Sequence, residues 1–136
     1  MMPTALSIFL LLAAAPAMAG EVTVIDGQTL QVDGRTYRLV GVAAPAMGET
    51  CRVLGHTRDC GLIARAQLLD LTAGATVECR RMDAAPPAAR CLSNGYDLSA
   101  GMVHTGWARA TDAAYDPIEA KARAARRGMW RPDRPE

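Results

Sequence analysis

Val24-Ile25-Asp26-Gly27-Gln28-Thr29-Leu30, followed by Tyr37-Arg38-Leu39-Val40-Gly41-Val42-Ala43-Ala44-Pro45-Ala46, is the stretch on which the fold turns. Glu21 to Asp26 alternates apolar and polar residues, the period of a half-buried strand. Asp26-Gly27 is a tight-turn signal, and Thr29 to Val32 reads as a second strand. Asp33-Gly34 is another hairpin signal, and Thr36 to Val42 reads as a third strand. The opening is therefore expected to be a three-stranded meander.

Beyond it, 45–58 reads as a loop holding Gly48, Gly55 and Cys51. From Cys60 to Leu71 the apolar residues Leu62, Ile63, Ala66, Leu69 and Leu71 follow helical spacing, with Gly74 as the stop. Thr76 to Met82 reads as a fourth strand. Ala84 to Ala89 is an Ala/Pro-rich connection, because Pro86 and Pro87 lack the donors of a central strand. Arg90 to Leu92 begins a fifth strand, and Ser93-Asn94-Gly95 is a turn. Asp97 is placed to cap a helix running to His104, with Gly106 as its stop. Trp107 and Ala108 lead into a short extended piece. Pro117 opens a last helix to Arg127, ended by Gly128. This order predicts an α+β domain, a small barrel with about three helices on one side.

At 136 residues the chain suggests one domain, 20–130, with a loose polar tail over 131–136. Residues 1–19 read as a secretory signal peptide. Ala5 to Ala15 is almost wholly apolar, and Ala17-Met18-Ala19 is a small-x-small cleavage site. A periplasmic or secreted location is the expectation, with no membrane attachment after cleavage. The four cysteines, Cys51, Cys60, Cys79 and Cys91, all follow the leader, and an even count in an exported chain favours two bridges. Of three connectivities, the sequence-neighbour solution, Cys51–Cys60 with Cys79–Cys91, is the expectation. Zinc-type spacings are absent. A net charge of +1 argues against a strongly basic nucleic-acid binder.

The order of these pieces resembles the staphylococcal-nuclease (thermonuclease) family. That family opens with Asp-Gly-Asp-Thr and continues with Arg-Leu-x-Gly-Ile-Asp-x-Pro-Glu. Asp97-Leu98 with Met102-Val103-x-x-Gly106-Trp107-Ala108-x-Ala110 and Gly128-Met129-Trp130 resemble its later segments. The cysteine spacing is similar to that of exported bacterial members. The resemblance covers nearly all of the chain after the leader and implies a five-stranded OB-type barrel with three helices. It also implies phosphodiester cleavage with Ca²⁺, using two Asp ligands, a Glu that activates water and two Arg that clamp the phosphate.

Carried over position by position, that machinery is depleted. Gln28 stands where the first Asp ligand is expected, Ala43 where the second is, and Ala46 where the Glu is. Arg38 matches the first clamp. The second clamp falls on proline or alanine between Asp83 and Cys91, leaving Arg90 as a neighbour. Loss of a general base alone typically costs about 10²–10⁴-fold. The expectation is thus a binding or structural domain without native-type nuclease activity and without cofactor. Arg38 and Arg90 are its candidate anion-binding residues. Its partner is unnamed: a nucleic acid, another anion, or a periplasmic protein. The alternative is a divergent metal-dependent nuclease with a substitute site from Asp26, Gln28 and Glu49.

The remaining conspicuous residues have plainer readings. Asp26 builds its turn. His56 and His104 are solvated and lack a nucleophile–base signature. Trp107 and Trp130 pack rather than stack bases, and only Tyr37 in the strand region could serve as a stacking platform. Lys121, Arg123, Arg126 and Arg127 complement the dipole of the last helix.

Overall fold

The computed structural model describes residues 2–3, 8–13, 20–83 and 87–131. Strands β1 (Val22–Asp26), β2 (Thr29–Val32) and β3 (Arg35–Arg38) form the expected antiparallel meander. Val24 faces Leu30, and Leu30 faces Tyr37. The two-residue period turns Val24, Leu30 and Val32 into the core. Asp33 and Gly34 both take positive φ, 53° and 77°, the backbone of a turn whose twist matches a hairpin.

The third strand is shorter than the apolar run suggests. Leu39 leaves the ladder to make a single parallel bridge with Ala89, and the Val40 N–H donates to the Ala89 carbonyl at 2.9 Å. Gly41, at φ 73°, then bends the chain. β4 (Val42–Ala43) pairs instead with β10 (Arg109–Ala110). A ring carbon of Tyr115 lies 2.6 Å from where a Cβ on residue 41 would sit, so glycine is required there for space as well as for φ.

The segment 45–58 is not only loop, which corrects the expectation. It contains a hairpin, β5 (Thr50–Val53) with β6 (His56–Asp59), turned by Leu54 and Gly55 at φ 53° and 76°. Two causes hid it. Leucine stands at a left-handed position where Asn or Asp is the usual signal. Both strands are also mostly polar and exposed, without apolar alternation.

Helix α1 (Cys60–Thr72) follows directly, capped by the Asp59 carboxylate, which accepts from the Leu62 N–H at 3.0 Å. β7 (Val77–Met82), β8 (Ala88–Ser93) and β9 (Tyr96–Asp97) form a second antiparallel sheet. β8 begins earlier than expected, just after Pro87, where a missing donor costs least. Ala84 to Pro86 lie outside the described residues. Helix α2 (Leu98–His104) starts at its Asp97 cap. Helix α3 (Asp116–Ala124) stops before Arg127, because Arg126 turns to φ 54° and ends the ladder.

The fold is thus mixed α+β, with three α-helices and several antiparallel sheets among the described residues. Among the described residues the hydrogen-bonded ladders do not close into a barrel. Val24, Leu30, Leu39, Ala64, Leu68, Leu98, Met102 and Val103 form one core between the sheets and the helices. Trp107 packs against it, as expected. Both disulfides have the sequence-neighbour pairing, Cys51–Cys60 and Cys79–Cys91. They fit an oxidising compartment. No helix of the described residues is long and apolar enough to cross a membrane. The Ala17-Met18-Ala19 motif and the tail beyond Arg131 lie outside the described residues.

Candidate functional site

The β1–β2 turn brings Asp26 and Gln28 beneath the chain that follows β4. The Asp26 carboxylate accepts from the Gln28 N–H at 2.8 Å, which fixes the turn. The Gln28 side chain reaches across to residue 44, where its amide oxygen accepts from the Ala44 N–H at 2.8 Å. Both groups are partly buried, so the bond meets a real demand of the loop backbone. The oxygen that could serve a cation is thereby engaged in holding the loop. Gly27 beneath it is also constrained, since a Cβ there would meet the methyl groups of Ala64 and Ala44.

Ala43 and Ala46 contribute methyl groups to this region, with Ala43 half-buried and Ala46 exposed. Glu49 closes the loop on itself. Its carboxylate accepts from the Ala46 N–H at 2.9 Å, and its own N–H donates to the Ala46 carbonyl at 2.9 Å. Glu49 also lines a cavity of about 280 Å³ with Ala43, Ala44, Pro45, Cys51, Arg109 and Met129. The cationic side chain lining that cavity is Arg109, which leans on the Trp130 ring at 5.7 Å. Calcium needs several hard oxygens converging on one point. Gln28 and Glu49 each turn an oxygen to a backbone N–H, and the side chains of the two alanines offer none. Among the described residues no three His, Cys, Asp or Glu side chains converge as a cation site would require.

Arg38, at the end of β3, is exposed. It lines a depression of about 220 Å³ with Thr36, Tyr37, Arg81, Pro87, Ala88 and Ala89. The Arg81 guanidinium lies over the Tyr37 ring, 5.5 Å from its centroid. The parallel bridge between Leu39 and Ala89 is what brings β3 beside β8 and so assembles this depression. Arg81 escaped the sequence reading. Its signal was the Arg80-Arg81 doublet at the end of a strand, which carries no spacing rule of its own.

Arg90 does not join Arg38. It points outward from β8, its side chain 58% exposed, and lines a different depression with Arg80. Its Nε is 4.0 Å from an Asp97 oxygen. That carboxylate is already engaged. Oδ1 accepts from the Ser99 and Ala100 N–H groups at 2.9 and 3.3 Å, and Oδ2 accepts from the Tyr115 hydroxyl at 2.8 Å. Burial of the Tyr115 ring, and next the bond to Asp97, push the Tyr115 pKa up. Ser99, fully buried, donates to the Val40 carbonyl at 2.7 Å and ties α2 to the chain leaving β3.

The other residues singled out by sequence fall away from these depressions. His56 and His104 are exposed, and His104 sits 3.4 Å from Arg127. Trp130 is flanked by guanidiniums, with Arg123 at 4.0 Å and Arg109 at 5.7 Å. Arg123 also pairs with Glu119 at 3.3 Å. Compared with known proteins, the chain matches no family model and no curated protein.

Proposed function

We propose that this chain is an exported, staphylococcal-nuclease-like domain, built on an OB-type barrel, that binds an anion at Arg38 and does not hydrolyse phosphodiesters with calcium. The observation that carries the reading is the bond from the Ala44 N–H to the Gln28 amide oxygen. It turns the position of a metal ligand into a structural tie. Ala43 and Ala46 beside it supply neither ligand nor base. Arg38 keeps its place at the mouth of a depression, with Arg81 and Tyr37 beside it. Two guanidiniums and an aromatic face suit a phosphate with an attached planar group.

The barrel reading draws support from the meander β1–β3 and its link through Leu39 and Ala89 to the β7–β8 pair. The export reading draws support from the two disulfides. It draws further support from the N-terminal apolar run, in which Ile8, Phe9, Leu10, Leu11 and Leu12 are 78–92% exposed.

The test uses the oxidised protein, a labelled single-stranded oligonucleotide and Ca²⁺. The expected outcome is no cleavage above the Arg38→Ala background, with salt-sensitive binding that Arg38→Ala weakens. Cleavage that needs both Ca²⁺ and Arg38 would overturn the reading in favour of a divergent nuclease. Binding indifferent to Arg38→Ala would move the contact to another surface.

A further inference from the structure

Arg80 and Arg90 stand directly opposite one another in the β7–β8 ladder. Their side chains leave the same face of the sheet within a few ångströms, where like charges repel and cost stability. The neighbouring carboxylates offset this only in part. Asp97 approaches Arg90 only to 4.0 Å, with both oxygens committed to the α2 cap and to Tyr115. Arg80 and Glu78 form no ion pair among the described residues. The two guanidiniums open on a depression of about 470 Å³, lined also by Glu78, Cys79 and Leu92.

We propose that this depression is a second anion site, separate from the one at Arg38, and that it takes a terminal phosphate: inorganic phosphate or the phosphoryl group of a monoester. Guanidinium groups bind oxyanions through paired parallel N–H donors. A carboxylate presents one edge of two oxygens and satisfies one such fork. A tetrahedral phosphate presents several edges and can meet two forks rising from adjacent strands. Its dianion also balances the charge of both arginines. Glu78 lies on the same face two residues from Arg80, so a second phosphate continuing in that direction meets a negative charge. The site therefore favours a phosphate at a chain end over an extended phosphodiester backbone. Leu92, on the same face as Arg90, offers apolar surface to the rest of a monoester.

The test is calorimetric titration of the oxidised protein with inorganic phosphate, phenyl phosphate and acetate at constant ionic strength. Saturable binding of phosphate, with acetate much weaker, is the expected result. Arg80→Gln and Arg90→Gln should each weaken it by about tenfold or more, since each removes charge-assisted bonds. Arg58→Gln, an equal charge change on the β5–β6 hairpin, should leave it unchanged. Tighter binding of phenyl phosphate assigns the monoester, and tighter binding of inorganic phosphate assigns the free ion. Without ligand, Arg80→Gln should melt no lower than the parent, because it relieves the repulsion across the ladder. That melting curve separates loss of a site from loss of the fold. Absence of saturable binding, or phosphate affinity that survives Arg80→Gln, would overturn the proposal.

Discussion

The Gln28 amide oxygen and the Ala44 N–H satisfy each other across a partly buried gap. Truncation by Gln28→Ala leaves that N–H without a partner and should cost about 1–2 kcal/mol, read from the midpoint of denaturant unfolding. Gln28→Asp should cost nearly as much, because the shorter side chain draws the acceptor back. A restoration of the acidic set, Gln28→Asp with Ala43→Asp and Ala46→Glu, therefore begins from a weakened loop. Calcium should raise the melting temperature of that triple variant by mass action more than it does for the parent. Tyr115 gives a second prediction at this scale. Its pKa lies above the usual 10.0 through burial, and then through Asp97. The neutral phenol is favoured in the fold, so its contribution is fully present below the unfolded pKa. It is lost as pH rises from about 10 through the higher folded value. Stability should fall over that alkaline range, and Tyr115→Phe should flatten this part of the profile.

Two elements depend on single contacts at their ends. Asp97 caps α2 with one oxygen and receives the Tyr115 hydroxyl with the other. Asp97→Ala removes the cap and orphans the hydroxyl, for a loss of about 2–3 kcal/mol in thermal or chemical unfolding. Asp97→Asn keeps cap capacity and should recover part of it. At the start of α1, Gly61 donates to the Glu49 carbonyl at 3.1 Å and lies against the Ala46 backbone, with no room for a Cβ. Gly61→Ala must push the 45–49 loop off the helix, and with it Glu49. We expect destabilisation of about 2 kcal/mol or more, together with chemical-shift changes concentrated in residues 43–50. Both elements were legible in advance, α1 from its apolar run and the Gly74 stop, α2 from the Asp97 cap and the Gly106 stop, although the Asp59 cap of α1 emerged only from the structure. The β5–β6 hairpin was not, because Leu54 occupies a left-handed turn position and its flanking residues are polar.

Across the whole molecule the two disulfides close short loops, with sequence separations of 9 and 12. Chain entropy assigns each about 2.5–3 kcal/mol. Their effects should differ in place. Cys79 and Cys91 are already opposed in a continuous ladder, so their removal should lower global stability and leave the β7–β8 register intact. Cys51–Cys60 joins a polar two-stranded hairpin to the first turn of α1. Cys51→Ala with Cys60→Ala should free amide exchange over residues 50–59, while β1–β3 amides exchange only by global unfolding.

Local signals determined much by themselves. Alternation and paired turn residues placed the opening meander, and Asp97 placed α2; the apolar run placed α1 but not its face, since Leu62, Ala66 and Leu69 are exposed while Ala64, Leu68 and Thr72 are buried. The losses at residues 28, 43 and 46 are likewise plain in the chain, because a side chain's chemistry does not depend on where it folds. Tertiary structure decided what those positions do now. That Gln28 answers Ala44 sixteen residues on is a long-range hydrogen bond with no local mark. The same holds for the anion-binding surfaces. Arg38 meets Arg81 only because Leu39 bridges to Ala89, and Arg80 meets Arg90 only through strand register. Sequence spacing fixes which residues share a face of one element, whereas the partner across a ladder is set by how the core packs the elements together.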